Sequence, residues 1–166
     1  MTTRVYVPST LAGLADVLAT GTLRAPFSAH AVTDAVRAEV EGEEDQEYAV
    51  AQAAAQASLG LLGQGPSRRV VLAVDVETVH ELGGEDPTEV EVREEVPLRR
   101  LGAVLADSAD GERHVARARG ALGTPEEDRA LDRLSEVELG WWAVQEADVL
   151  VGQVQPQPEA GAQGRQ

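Results

Sequence analysis

The chain predicts an α+β fold, with a small mixed or antiparallel sheet of about four strands, helices packed on it and a helical segment towards the C-terminus. Three observations carry the expectation. Strand-like and helix-like stretches follow the order β-α-(α)-α-β-β-β-α-α, without the regular alternation of a doubly wound parallel sheet. The apolar period switches from helical to strand-like near residue 69 and back near residue 124. The length of 166 residues and a 43% hydrophobic content suffice for one domain with a sizeable core, placed at 1–152. The remaining stretch, 153–166 (QVQPQPEAGAQGRQ), is polar and rich in Pro and Gly and is expected to be a disordered tail.

Residues 4–7 (RVYV) read as the first strand, stopped by Pro8. A helix follows, capped by Ser9 or Thr10, with Leu11, Leu14, Ala15 and Leu18 on one face and Gly21 ending it. An extended segment then leads to a short helix from about Thr33. The acidic run EVEGEEDQE (39–47) reads as a solvated separator before a long Ala-rich helix. That helix carries Tyr48, Ala51, Ala55, Leu59 and Leu62 at helical spacing and ends at GQGP (63–66). Its second stripe, Ala49, Ala53 and Ala57, predicts close packing against a neighbour.

RVVLAVDV (69–76) is a near-continuous apolar run, suited to a strand covered on both faces. TEVEVREEV (88–96) alternates, with Val90 and Val92 inward and Glu89, Glu91 and Arg93 outward. After Pro97, Leu101–Ala106 makes another strand. The last third reads as helical. TPEEDRAL (124–131) combines a Thr cap, Pro at the first helical position and Glu127 three residues after the cap. SEVE (135–138) repeats that spacing, a point where the helix breaks and restarts.

Composition excludes several functions. Ile, Lys and Asn are absent and all 14 basic residues are Arg, the mark of a GC-rich bacterial genome before it is a mark of function. The net charge of −15 repels nucleic-acid backbones and anionic membranes, so neither is an expected partner; Arg68-Arg69 and Arg99-Arg100 are candidates for a local basic patch. With no cysteine, disulfides, thiol catalysis and Cys-ligated metals are excluded. No basic-then-apolar leader and no run of about 18 apolar residues is present, so the expected location is cytoplasmic.

The candidate chemistry is sparse. His30, His80 and His114 lie far apart without metal-ligand spacing, and no metal site is expected. His80, beside Glu77 and Glu81, is readable as a general base, as a ligand, or as a surface histidine in an acidic loop. In DSADGE (107–112), aligning Gly111 with the glycine of a calcium loop puts Ala106 and Arg117 at ligand positions, so a turn is the better reading. Nucleotide-binding glycine motifs and GxSxG are missing. The pair Trp141-Trp142 stands out in a chain that is only 3% aromatic. On a helix the two point about 100° apart. Trp141 continues the stripe of Leu134, Val137 and Val144 and reads as a core anchor, leaving Trp142 half-exposed over a groove or at a subunit interface.

Two resemblances add to this. RVYVPSTLAGLADVLATGTLRAP, EYA (47–49) before the Ala-rich helix, RRVVLAVDV and WWAVQEADV together resemble an uncharacterised family of actinobacterial proteins over roughly residues 3–150. More remotely, the layout is similar to ADP-ribosyltransferase-like domains, including the RNA 2′-phosphotransferase branch. The shared features are a first strand, a helix of the form Leu14 to Leu23, a YA segment at Tyr48, the VVLAVD strand, and Glu89 to Val92 leading to Val96-Pro97-Leu98. That resemblance implies NAD as cofactor, with Tyr48 and either Glu89 or Glu91 as functional residues. The first-strand position that carries a His or Arg in that superfamily falls at Val7–Thr10, where neither occurs.

The residues themselves favour a non-catalytic cytoplasmic binding domain without cofactor. Its partner is a protein or small ligand, its candidate site Trp142 with Ser9 and Thr10, and a homodimer through the Trp pair is a further possibility.

Overall fold

In a computed structural model, which describes residues 1–154, the chain opens with strand β1 (Thr3–Ser9) and helix α1 (Leu11–Thr20). Thr10 is the cap of α1, its hydroxyl oxygen accepting the Gly13 amide at 3.0 Å. Gly21 ends the helix at φ 76°, the left-handed conformation that glycine adopts without a Cβ penalty. Strands β2 (Thr22–Leu23) and β3 (Phe27–His30) follow, then α2 (Asp34–Glu39), capped by Thr33, and the long α3 (Glu43–Leu61). Glu43, Glu44 and Asp45 form the first turn of α3, where carboxylates favour the positive end of the helix dipole. Much of the acidic run is therefore helix, not a separator.

The middle of the chain supplies β4 (Val70–Val76), β5 (His80–Glu81), β6 (Glu89–Val92), β7 (Val96–Pro97) and β8 (Leu101–Ala106). Helices α4 (Ala109–Ala121) and α5 (Glu127–Leu134) come next, then β9 (Gly140–Trp142) and α6 (Ala147–Val154). The main sheet has seven strands in the order β5-β6-β3-β1-β4-β8-β9, not about four, and every neighbouring pair is antiparallel. β2 and β7 form a separate two-stranded ribbon.

Three further expectations give way. Residues 109–112 of the expected turn are the first turn of helix α4 (Ala109–Ala121), begun by Ser108, whose hydroxyl oxygen accepts the Gly111 amide. α5 starts at Glu127 rather than at Pro125, with the Thr124 hydroxyl accepting the Glu126 amide ahead of it. The helix does not restart at SEVE; the chain turns into β9 instead. Gln153 and Val154 lie within α6, and the rest of the expected tail, 155–166, lies outside the described residues.

The sheet separates two apolar layers. Val5, Val7, Leu72 and Val74 face α1 and α6 and pack with Leu11, Leu14, Val17, Ala147 and Leu150. On the opposite face Tyr6, Val71, Ala73, Ala103 and Leu105 meet Val36 of α2 and Val50, Ala54 and Ala55 of α3. Leu59 and Leu62, at the end of α3, make a third cluster with Val115, Ala118 and Leu134 of α4 and α5. Between Ala73 and Val74 the β4–β8 register slips, leaving Gly102 as the extra residue. A Cβ there would sit 2.7 Å from Arg4 Nη2, so a larger residue in the bulge would displace the Arg4 guanidinium. Among the described residues no helix is long and apolar enough to cross a membrane.

Candidate functional site

The α3 face of the sheet does not close completely. Strand pleating sends Tyr6 of β1 and Leu105 of β8 towards α3, and Leu105 pairs across to Trp141 of β9. α3 meets them with the small Ala51 and Ala55, too short to fill the space. The result is a groove of about 770 Å³, in the size range of small-ligand sites. Its apolar lining comes from Val32, Ala51, Ala55, Leu105 and Leu139, and its aromatic lining from Tyr6, Tyr48 and Trp141. Glu43, Glu44, Glu47, Glu138 and Arg37 supply its charges.

Each polar group has a definite setting. The buried Tyr6 hydroxyl donates to Glu47 Oε2 at 2.6 Å. Burial, then the Glu47 carboxylate, push the Tyr6 pKa well above the ordinary value for a tyrosine, so the hydroxyl keeps its proton and remains the donor. Gln52 donates to the Tyr48 hydroxyl at 2.7 Å and to the Ser135 carbonyl at 2.9 Å, tying Tyr48 to the turn after α5. Arg37 is engaged by Asp34 at 2.9 Å.

The tryptophans exchange the roles expected for them. They lie on a strand, so neighbours point to opposite faces rather than 100° apart. Trp141 is 63% exposed and lines the groove; Trp142 is half-buried against the α1–α6 core. Tyr48, which starts the predicted apolar stripe of α3, is 53% exposed at the groove instead.

The other candidates lie elsewhere. Thr10 is the α1 cap, and the Ser9 carbonyl accepts the Ser58 hydroxyl at 2.7 Å; neither residue lines the groove. Glu89 and Glu91 sit on β6, opposite His30 and Ser28, and are not brought to Tyr48 in the groove wall. His80 opens β5 opposite Glu91, and His114 stands on exposed α4, 3.7 Å from Asp110. Arg68 and Arg69 make no surface patch, since both are buried. Arg69 holds Asp107 through Nε and Nη2 at 2.9 and 2.8 Å, and Arg68 pairs with Glu112 at 2.8 Å. Arg100 pairs with Glu77.

His30, with no role assigned from the sequence, is buried beside Thr88 and Asp86. The Thr88 hydroxyl donates to Asp86 Oδ1, so its oxygen accepts from His30, which assigns the Nδ1–H tautomer. Burial lowers the His30 pKa, against the pull of Asp86 and Glu89. Among the described residues no three His, Asp or Glu side chains are grouped to hold a metal ion. Tyr6, Glu47 and Trp141 are the groove residues that sequence reasoning missed. The alternation of Val137, Leu139 and Trp141 is the one local signal that pointed to a strand at that position.

The fold and the groove define a mixed α+β protein with an aromatic and carboxylate-lined cavity on one face of an antiparallel sheet. The chain belongs to DUF6912, a family of unknown function, whose sequence profile matches residues 3–151. No curated protein and no solved structure matches the chain.

Proposed function

We propose that the protein is a non-catalytic binding domain that takes a small ligand in the groove between α3 and β8–β9. The observation that carries this reading is the exposure of Tyr48 and Trp141 on the walls of a cavity of about 770 Å³. Large aromatics in water cost free energy and concentrate where a ligand covers them. The internal Tyr6–Glu47 bond supports fixed recognition, because it holds the polar floor in one arrangement before any ligand arrives. The candidate aromatic thereby moves from Trp142 to Trp141. A cytoplasmic location and, from the family resemblance, an actinobacterial source go with this reading as expectations.

The resemblance to ADP-ribosyltransferase-like domains leaves an NAD-using enzyme as the rival, supported by Tyr48 at the groove wall. Its acidic residues, Glu89 and Glu91, stand outside that wall, so the binding reading is the better supported. Amide NMR titration of the full chain with a small-molecule fragment library and with NAD separates the two. Fragment-induced shifts gathered on 43–55 and 138–142 are the expected result. Shifts scattered over the surface, or none, would refute the groove as a site. NAD-induced shifts accompanied by nicotinamide release would favour the enzyme.

A further inference from the structure

Resting on that reading of the groove as a binding site, we infer that its ligand is a small organic cation, an ammonium or guanidinium group carried on an apolar body. The electrostatics of the lining carry the inference. Glu43, Glu44, Glu47 and Glu138 surround the cavity, and its one cationic residue, Arg37, is already paired with Asp34. Glu43 and Glu44 have a structural reason to be there, at the first turn of α3. Glu138 has none of that kind: it is exposed on the irregular segment before β9 and, among the described residues, makes no ion pair or side-chain hydrogen bond. Glu47 accepts a proton-bearing hydroxyl from Tyr6 through Oε2, and its Oε1 has no partner among the described residues. Carboxylates around low-dielectric walls focus a negative field on the space between them.

The aromatic residues match the same ligand. Trp141 and Tyr48 offer π faces, whose negative quadrupole attracts cations, Trp most strongly. Val32, Ala51, Leu105 and Leu139 give an apolar wall for the body of the molecule. The volume fits a small molecule rather than a protein surface. Phosphate-bearing ligands meet four carboxylates in the same space, which separates this inference from the NAD reading.

A matched set of probes tests it: 4-phenylbutylamine, 4-phenylbutanol and 4-phenylbutyrate share one apolar body and differ in charge. Each is titrated into the full chain carrying W142F, with Trp141 emission and amide shifts as readouts. The amine is expected to bind about tenfold more tightly than the alcohol, and the carboxylate least tightly. The preference for the amine should shrink as salt rises. W141A should weaken the amine roughly 2- to 30-fold, with W141F intermediate. E138Q should weaken the amine by a larger factor than the alcohol. Groove shifts with the alcohol or carboxylate binding as tightly as the amine overturn the cation preference while leaving the groove a binding site. Binding of an arginine-bearing acetylated peptide without any binding of the amine overturns the small-molecule part. If none of the probes shifts residues 43–55 or 138–142 while the fragment library does, this inference falls and the groove stays a binding site; if the library fails too, both fall.

Discussion

The two faces of the sheet are built differently. On the α1–α6 face Val5, Leu72 and Val74 interlock with Leu14 and Leu150, all but sealed from water. On the α3 face the contacts are made largely through alanine: Ala73 and Ala103 from the sheet, Ala54 and Ala55 from the helix. Small residues bring the helix in over the middle of the sheet, but they cannot fill the space towards β9. One sealed face supplies most of the hydrophobic burial, and the other is left free to carry an opening lined by aromatics and carboxylates.

Breaking the buried pair that ties the start of β4 to the end of β8 should cost most. Asp107 is fully buried and accepts from the Arg69 backbone amide, Nε and Nη2, while Arg69 Nη2 also reaches the Val137 carbonyl. D107A strands a buried guanidinium and is expected to cost about 3–5 kcal/mol in urea unfolding. The sealed face comes next: L14A should cost about 2–5 kcal/mol, because it leaves a closed cavity. L105A removes the same atoms beside an open groove, where water can enter, and should cost less than half as much. Equal losses for the two leucines would erase the distinction between the faces. Y6F, which deletes the donor to partly exposed Glu47, should cost about 1.5 kcal/mol.

The smallest effect concerns pH. The folded-state pKa of His30 lies below 6.5, its ordinary value, chiefly through burial. Between the lowered pKa and 6.5 the unfolded chain therefore binds more protons than the folded one, so stability rises with pH in that window and falls as pH drops below 6.5. In urea titrations the slope of stability with pH should be shallower for H30Q than for the unaltered chain. An unchanged slope would remove His30 as its source.

Much of the fold was legible where the signals were local. β1, α1 with its Thr10 cap and Gly21 stop, α2 with its Thr33 cap, and the strands at 70–76 and 101–106 follow from short-range pattern and capping chemistry. The sheet looked smaller than seven strands because β3 read only as an extended segment, two-residue β5 carries no local signal, and β9 read as helix; β2 and β7, equally short, make the separate ribbon. α4 was hidden because its buried face is only Gly111, Val115 and Ala118, a narrow stripe among charged residues. β9 was hidden because Leu134, Val137, Trp141 and Val144 fit a helical stripe, so the wrong period inverted the two tryptophans. The groove was illegible for a different reason. Its polar pair, Tyr6 and Glu47, is 41 residues apart in sequence and meets only once α3 lies across β1.

The claim that one face is sealed and the other displays Trp141 is tested most directly by acrylamide quenching of two single-tryptophan variants. W142F leaves Trp141, 63% exposed, as the only tryptophan, and its emission should be red-shifted and strongly quenched. W141F leaves Trp142, packed against the α1–α6 core, and its emission should be bluer and several-fold less quenched. Stronger quenching of Trp142 than of Trp141 would place the aromatic surface on the wrong side of the sheet and contradict the account.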